Sequence, residues 1–187
     1  DFHRFIESFG LDNFKYADSF SNAVRHNRTE RVFTANEAPP SVEIFLHHEM
    51  AQTLTFPGAL FFFCEEAAQS GGATPVCRSD LTLKTLETNN PGFVAKLREV
   101  GVKYRNSMPS EANLESGQGR SWKDTLTVGS AQEAEEKLSA LGYRFNWLDD
   151  GGLSVQTPAL PAVDHFGRGK DVFFNQIVAA AAGWTEI

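Results

Sequence analysis

A mainly β domain with helical insertions is the fold class this sequence predicts, and three observations predict it. Val42, Ile44 and Leu46 alternate with Ser41, Glu43 and Phe45, which reads as a strand running into His47. Residues 59–64 (ALFFFC) form an aromatic-rich run bounded by Pro57-Gly58 and by the Gly71-Gly72 turn, the appearance of a doubly buried strand. Two hairpins follow near the end of the chain: residues 143–148 and 153–157 flank Asp149-Asp150-Gly151-Gly152, and residues 162–163 and 172–177 flank Gly167-Arg168-Gly169.

The helical elements have their own local signals. Phe2, Phe5, Ile6 and Phe9 recur at helical spacing behind Asp1 as N-cap, with Gly10 as the stop. Asp80 is placed to cap a helix over 81–87, and after Asn89-Asn90-Pro91 a second helix carries Phe93, Val94 and Leu97 to Gly101. Both read as an insertion packed beside a sheet. Ser130 and Glu133 form a capping box ahead of AEEKLSALG, which Gly142 ends. Without repeats or linkers, residues 1–187 read as one domain.

Composition narrows the partners. The chain is 41% hydrophobic and 22% charged, with a net charge of −7 and scattered Lys and Arg residues, so it offers no basic footprint for nucleic acid. No apolar stretch approaches the ~20 residues of a bilayer span. Cys64 and Cys77 suggest neither a disulfide framework nor a thiolate cluster. A reducing, cytoplasmic location is therefore the expectation, with any targeting segment lying upstream of Asp1.

The chemistry concentrates in FLHHEM, residues 45–50. On a strand, residues two apart share a face, so His47 and Glu49 project together while His48 points away. A neutral imidazole and a carboxylate on one side, joined by a second His from elsewhere, make the facial triad of a non-haem iron(II) site with three open positions. The bare pattern also arises as a polar strand end. GGATP follows the aromatic run and delivers Thr74 toward the same neighbourhood, or leaves it as a turn Thr bonded to local backbone.

Five blocks in order, RVFTANEAPP, LHHEMAQTLTFPGALFFFCEEAAQSGGATPV, GRSWKDTL, FNWLDDGGL and DVFFNQIVAAAAGW, resemble the clavaminate synthase-like branch of the taurine-dioxygenase superfamily, its plant-type members above all. The resemblance covers nearly the whole chain. It implies a double-stranded β-helix, or jelly roll, with helical insertions, using iron(II), 2-oxoglutarate and O2 to oxidise a small organic molecule with release of succinate and CO2. Under it, His47 and Glu49 match the first iron His and the carboxylate ligand. Thr74 matches the Thr that hydrogen-bonds the 2-oxoglutarate carboxylate. Asn175 matches a substrate-proximal Asn, although an Asn there can equally satisfy a sheet edge. Trp122 and Trp147 read as core anchors, and His48 and Met50 as packing neighbours of the site.

The family's distal iron His and its 2-oxoglutarate-binding Arg lie beyond the FFNQ block. His165, in VDHFGRGK, falls in a turn before the FFN strand and reads as solvent-facing; His3 and His26 match no ligand position. The expectation is thus a partial dioxygenase domain, incomplete at its C-terminal end, with apolar sheet surface exposed around Phe173-Phe174. The competing reading is a non-catalytic jelly-roll remnant that binds a small molecule or a protein. A hydrolytic zinc site lacks a third ligand and a general base.

Overall fold

A computed structural model describes residues 1–15, 19–21, 23, 25–35, 44–113, 119–166 and 169–182. Its helices are α1 (Phe2–Glu7), α2 (Ser79–Asn89), α3 (Pro91–Val100), α4 (Trp122–Leu126), α5 (Ala131–Ala140) and α6 (Ile177–Ala182). The strands are β1 (Arg105–Met108), β2 (Arg144–Trp147), β3 (Leu153–Gln156), β4 (Val163–Asp164) and β5 (Val172–Phe173). Among the described residues helix exceeds strand, which corrects the expectation of a mainly β content. The strands form an antiparallel three-stranded sheet in the order β1-β3-β2 and a two-stranded β4-β5 ribbon.

The Asp149–Gly152 sequence closes the β2–β3 hairpin as expected: Leu148 N–H donates to the Gly152 carbonyl at 2.9 Å, and Gly151 takes a positive φ of 80°. β1 completes this sheet from the other side, with Arg105 opposite Gln156 and Met108 opposite Leu153. Leu153 and Val155 turn toward the core, where they meet Met108, Trp122, Leu126, Ala134, Leu138 and Tyr143. Trp147 stands edge-on to Trp122, ring centroids 5.0 Å apart, and its indole N–H donates to Glu135 at 2.7 Å. The two tryptophans are core anchors here, as their rings' size suggests.

α5 follows its sequence signals closely. Ser130 Oγ accepts from the Glu133 N–H at 3.2 Å, while the Glu133 carboxylate reaches back to the Gly129 N–H at 2.9 Å, one residue earlier than in the usual box. At the other end Tyr143 N–H donates to the Leu138 carbonyl and Gly142 N–H to the Ser139 carbonyl, with Gly142 at φ 74°, a Schellman ending. Replacing Ser130 by Ala is expected to cost about 1 kcal/mol, read as a lower denaturation midpoint at unchanged m-value.

α2 and α3 enclose a second cluster of Leu83, Val94 and Leu97 with Ala162 and Phe173. α2 packs beside β5, and α3 packs on α2. α2 is longer than predicted, and Asp80 is not its cap. Arg78 occupies that position, and the Asp80 carboxylate, one residue inside the helix, takes the Arg78 guanidinium at 2.5 and 3.0 Å together with the backbone N–H groups of Asp80 and Leu81.

Two strand expectations fail. Residues 59–64 form no ladder, and Leu60, Phe62 and Phe63 are 46%, 67% and 65% exposed. Rings of this run instead meet α1 and the residues just after it: Phe2 stacks on Phe63 at 5.1 Å, and Phe9 approaches Phe61 at 4.9 Å. Exposed apolar side chains thus gather here, whereas at the segment where they were expected Phe173 is buried and Phe174 half-buried beneath the exposed Phe166 ring. The strand expected over 172–177 stops at Phe173, because Asn175 turns its side chain onto the Ala162 carbonyl and the Ile177 N–H, where α6 begins. The strand start at 41–43 lies outside the described residues, and residues 44–48 make no ladder.

Burial pushes the Tyr143 phenol up to about 12 from an ordinary 10.0, opposed by a hydrogen bond with the Leu54 backbone. The folded state thus holds this proton longer than the unfolded chain does. Its contribution to stability is complete below pH ~10 and is lost as pH rises toward the folded value, at up to about 1.4 kcal/mol per pH unit. Denaturation of the wild type and Tyr143→Phe on either side of pH ~10 should show this slope in the wild type and its loss in the variant.

Candidate metal-binding site

His47 and Glu49 come together without a strand. The chain runs extended through residues 44–48 and then turns: Met50 is buried with a φ of 61°, Ala51 N–H donates to the His48 carbonyl at 3.2 Å, and Thr53 N–H to the Met50 carbonyl at 3.0 Å. Glu49 and Met50 are the central residues of the turn from His48 to Ala51, and the Glu49 side chain lies beside His47, with Nε2 and Oε2 3.8 Å apart. His47 Nδ1 lies 2.7 Å from the Phe45 carbonyl, which can only accept, so Nδ1 carries a hydrogen, and in the neutral ring the lone pair is then on Nε2, the nitrogen on the side of Glu49. That is the tautomer a metal-ligating imidazole needs.

His48 spends both ring nitrogens on other parts of the chain. Its Nδ1 donates to the Asn175 carbonyl at 2.9 Å, and its Nε2 lies 2.6 Å from Ser79 Oγ at the start of α2. Burial, the largest effect, lowers its pKa; the bond to Asn175 opposes this and the nearby His47 adds to it. Gln176 donates to the His48 carbonyl at 2.8 Å, and its own N–H donates to the Tyr104 hydroxyl at 2.9 Å. The backbone between His47 and Glu49 is therefore tied to α2, to the β5–α6 junction and to the strand-bearing core.

A large open cleft of about 1970 Å³ runs past this pair, and Arg25, His47, Glu49, Thr74, Tyr104 and Asn175 all contribute to its wall. Thr74 is exposed there, after Gly71 and Gly72 at φ 69° and 72°. Asn175 is buried, with its amide spent on backbone groups as described above. Arg25, which sequence reasoning missed, donates from Nη2 to Glu49 Oε1 at 3.2 Å. Nothing in RHNRTER distinguishes Arg25 from Arg28 or Arg31 before folding. Gln176 and Tyr104 were also missed; the adjacency of Gln176 to Asn175 was the available signal.

The donor set suits a divalent cation of borderline character, one imidazole nitrogen and one carboxylate oxygen on a solvent-reachable wall. Among the described residues no third His, Cys, Asp or Glu joins them; three such donor groups within 4.8 Å of one another occur at His3, Glu7 and Glu30. His165 is exposed and pairs with Asp171 at 3.6 Å in the β4–β5 hairpin. Among the described residues no helix is long and apolar enough to cross a membrane.

Residues 1–176 match the family of taurine catabolism dioxygenases TauD and TfdA, and the chain belongs to that family. It is 37% identical over its whole length to a clavaminate synthase-like protein of Arabidopsis thaliana, covering 56% of that protein. It is 26% identical over 153 residues to the dapdiamide synthesis protein DdaC of Enterobacter agglomerans, covering 82% of this chain and 44% of DdaC. The chain thus spans about half the length of the curated relatives it matches.

Proposed function

We propose that this chain carries the iron-binding front part of an iron(II)- and 2-oxoglutarate-dependent dioxygenase that oxidises a small organic substrate. The observation that carries this reading is the convergence of His47 Nε2 and Glu49 Oε2 to 3.8 Å on the wall of a large cleft, with the imidazole tautomer set by the Phe45 carbonyl. His47 and Glu49 would hold the metal, and Thr74, on the same cleft wall, would hydrogen-bond a 2-oxoglutarate carboxylate. Asn175 shapes the substrate side of the cleft through the backbone it pins. Iron(II) with 2-oxoglutarate supplies oxidation by O2, releasing succinate and CO2.

The family's distal iron His and its 2-oxoglutarate-binding Arg lie beyond the FFNQ block, so in this reading they belong to a longer protein whose jelly roll this chain helps to build. Free thiols at Cys64 and Cys77 suit the reducing, cytoplasmic setting in which ferrous iron persists. The full-length protein, given iron(II) and 2-oxoglutarate without O2, should develop a visible charge-transfer band, and on exposure to air should release succinate. Neither signal appearing in a folded protein would remove the proposal.

A further inference from the structure

The carboxylate of Glu49 has two oxygens in different surroundings. Oε2 faces His47, while Oε1 accepts from Arg25 Nη2 at 3.2 Å, in a pair whose side chains are both largely buried. Arg25 is itself fixed from behind. Its Nη1 donates to the Thr34 carbonyl at 3.2 Å and to the Ala35 carbonyl, and its guanidinium lies over the Phe33 ring, 5.6 Å from the centroid. The loop at 33–35 thereby aims one arm of a planar fork at a single carboxylate oxygen.

We propose that Arg25 is the positioning residue for Glu49, holding Oε1 so that Oε2 alone is turned toward His47 Nε2 for a divalent metal ion. A Glu side chain by itself can rotate and can offer a metal either one oxygen or both. A charge-assisted bond from an anchored guanidinium removes that choice. One-oxygen ligation leaves more of the coordination sphere open, which a site taking a chelating co-substrate and O2 requires. Lysine cannot replace this arrangement, because one ammonium on a flexible stem lacks the fork that spans Glu49 and two carbonyls at once. Outer partners of this kind orient metal ligands, and their loss typically costs about 10–100-fold in metal affinity.

This inference rests on the proposed metal site, and the test separates the two. Metal-free full-length protein is titrated with Co(II) alone, following its visible absorption, with circular dichroism confirming the fold. Arg25→Met should weaken Co(II) binding about 10–100-fold and change the absorption envelope, as Glu49 becomes able to bind through both oxygens. Arg25→Lys should recover part of the affinity but not the wild-type envelope. If Arg25→Met does not fold, Arg25→Lys and Phe33→Leu carry the test, each expected to shift affinity and envelope in the same direction by less. Wild-type affinity and spectrum in a folded Arg25 variant, or tighter binding, overturns the proposal. If His47→Ala and Glu49→Ala lose Co(II) while the Arg25 variants do not, only the role of Arg25 falls. If Co(II) binding ignores His47 and Glu49, the metal site falls and takes Arg25 with it.

Discussion

His47→Ala or Glu49→Ala in the full-length protein is expected to weaken iron(II) binding by more than about 100-fold, beyond what the loss of an outer partner costs. The reason is ligand counting. Each variant removes one of the two donor atoms that lie 3.8 Å apart, and no third described His, Cys, Asp or Glu offers a donor atom within 4.8 Å of both to replace it. Anaerobic titration with iron(II), with and without 2-oxoglutarate, measures the effect directly. His165→Ala serves as the control: this exposed imidazole pairs with Asp171 across the β4–β5 turn and should leave binding unchanged. Loss of binding in His165→Ala with retention in the other two would transfer the site to the hairpin.

Leu153→Ala should destabilise the protein by about 3–5 kcal/mol, the range for a fully buried leucine whose cavity does not collapse. Leu153 is completely buried in the central strand β3, opposite Met108 on β1 and Trp147 on β2, beneath the layer formed by α4 and α5. Its neighbours are fixed by two ladders and two helices, so they have little freedom to close the gap. Equilibrium denaturation reads the loss. A cost below about 1 kcal/mol would mean that the helices do not seal over the sheet as described.

Elements written in local chemistry were legible in the sequence. α5 has its cap at Ser130 and its left-handed exit at Gly142, and both signals act within a few residues. The β2–β3 hairpin is set by its Asp-Asp-Gly-Gly turn for the same reason. β1 was not legible, because RNSM has no apolar alternation and becomes a strand only by pairing with residues 153–156 far along the chain. Residues 59–64 were misread because apolar content predicts contact with something apolar without saying what; the contact found is with α1 and the residues just after it, not with flanking strands. At Asp80 the helix starts one residue earlier than the carboxylate suggested, so that Asp80 lies in the first turn, bonded to Arg78 and to nearby N–H groups, a boundary shift that sequence spacing does not rank.

The candidate site divides along the same line. The spacing of His47 and Glu49 pointed to convergent side chains, and they converge, although Glu49 stands in a turn from His48 to Ala51 and not on the expected strand. Arg25, Tyr104 and Gln176 reach the same segment from distant positions, through contacts that exist only once the loops at 25–35 and 44–53 and the β5–α6 junction are assembled. Such supporting residues have no pattern of their own in the linear sequence.

The location of the bound metal tests the central claim most directly. Anomalous diffraction at the iron edge from anaerobic crystals of the full-length protein with iron(II) should place one peak within about 2.2 Å of both His47 Nε2 and a Glu49 oxygen. A peak at His3, Glu7 and Glu30, or beside His165, with none between His47 and Glu49, would contradict it.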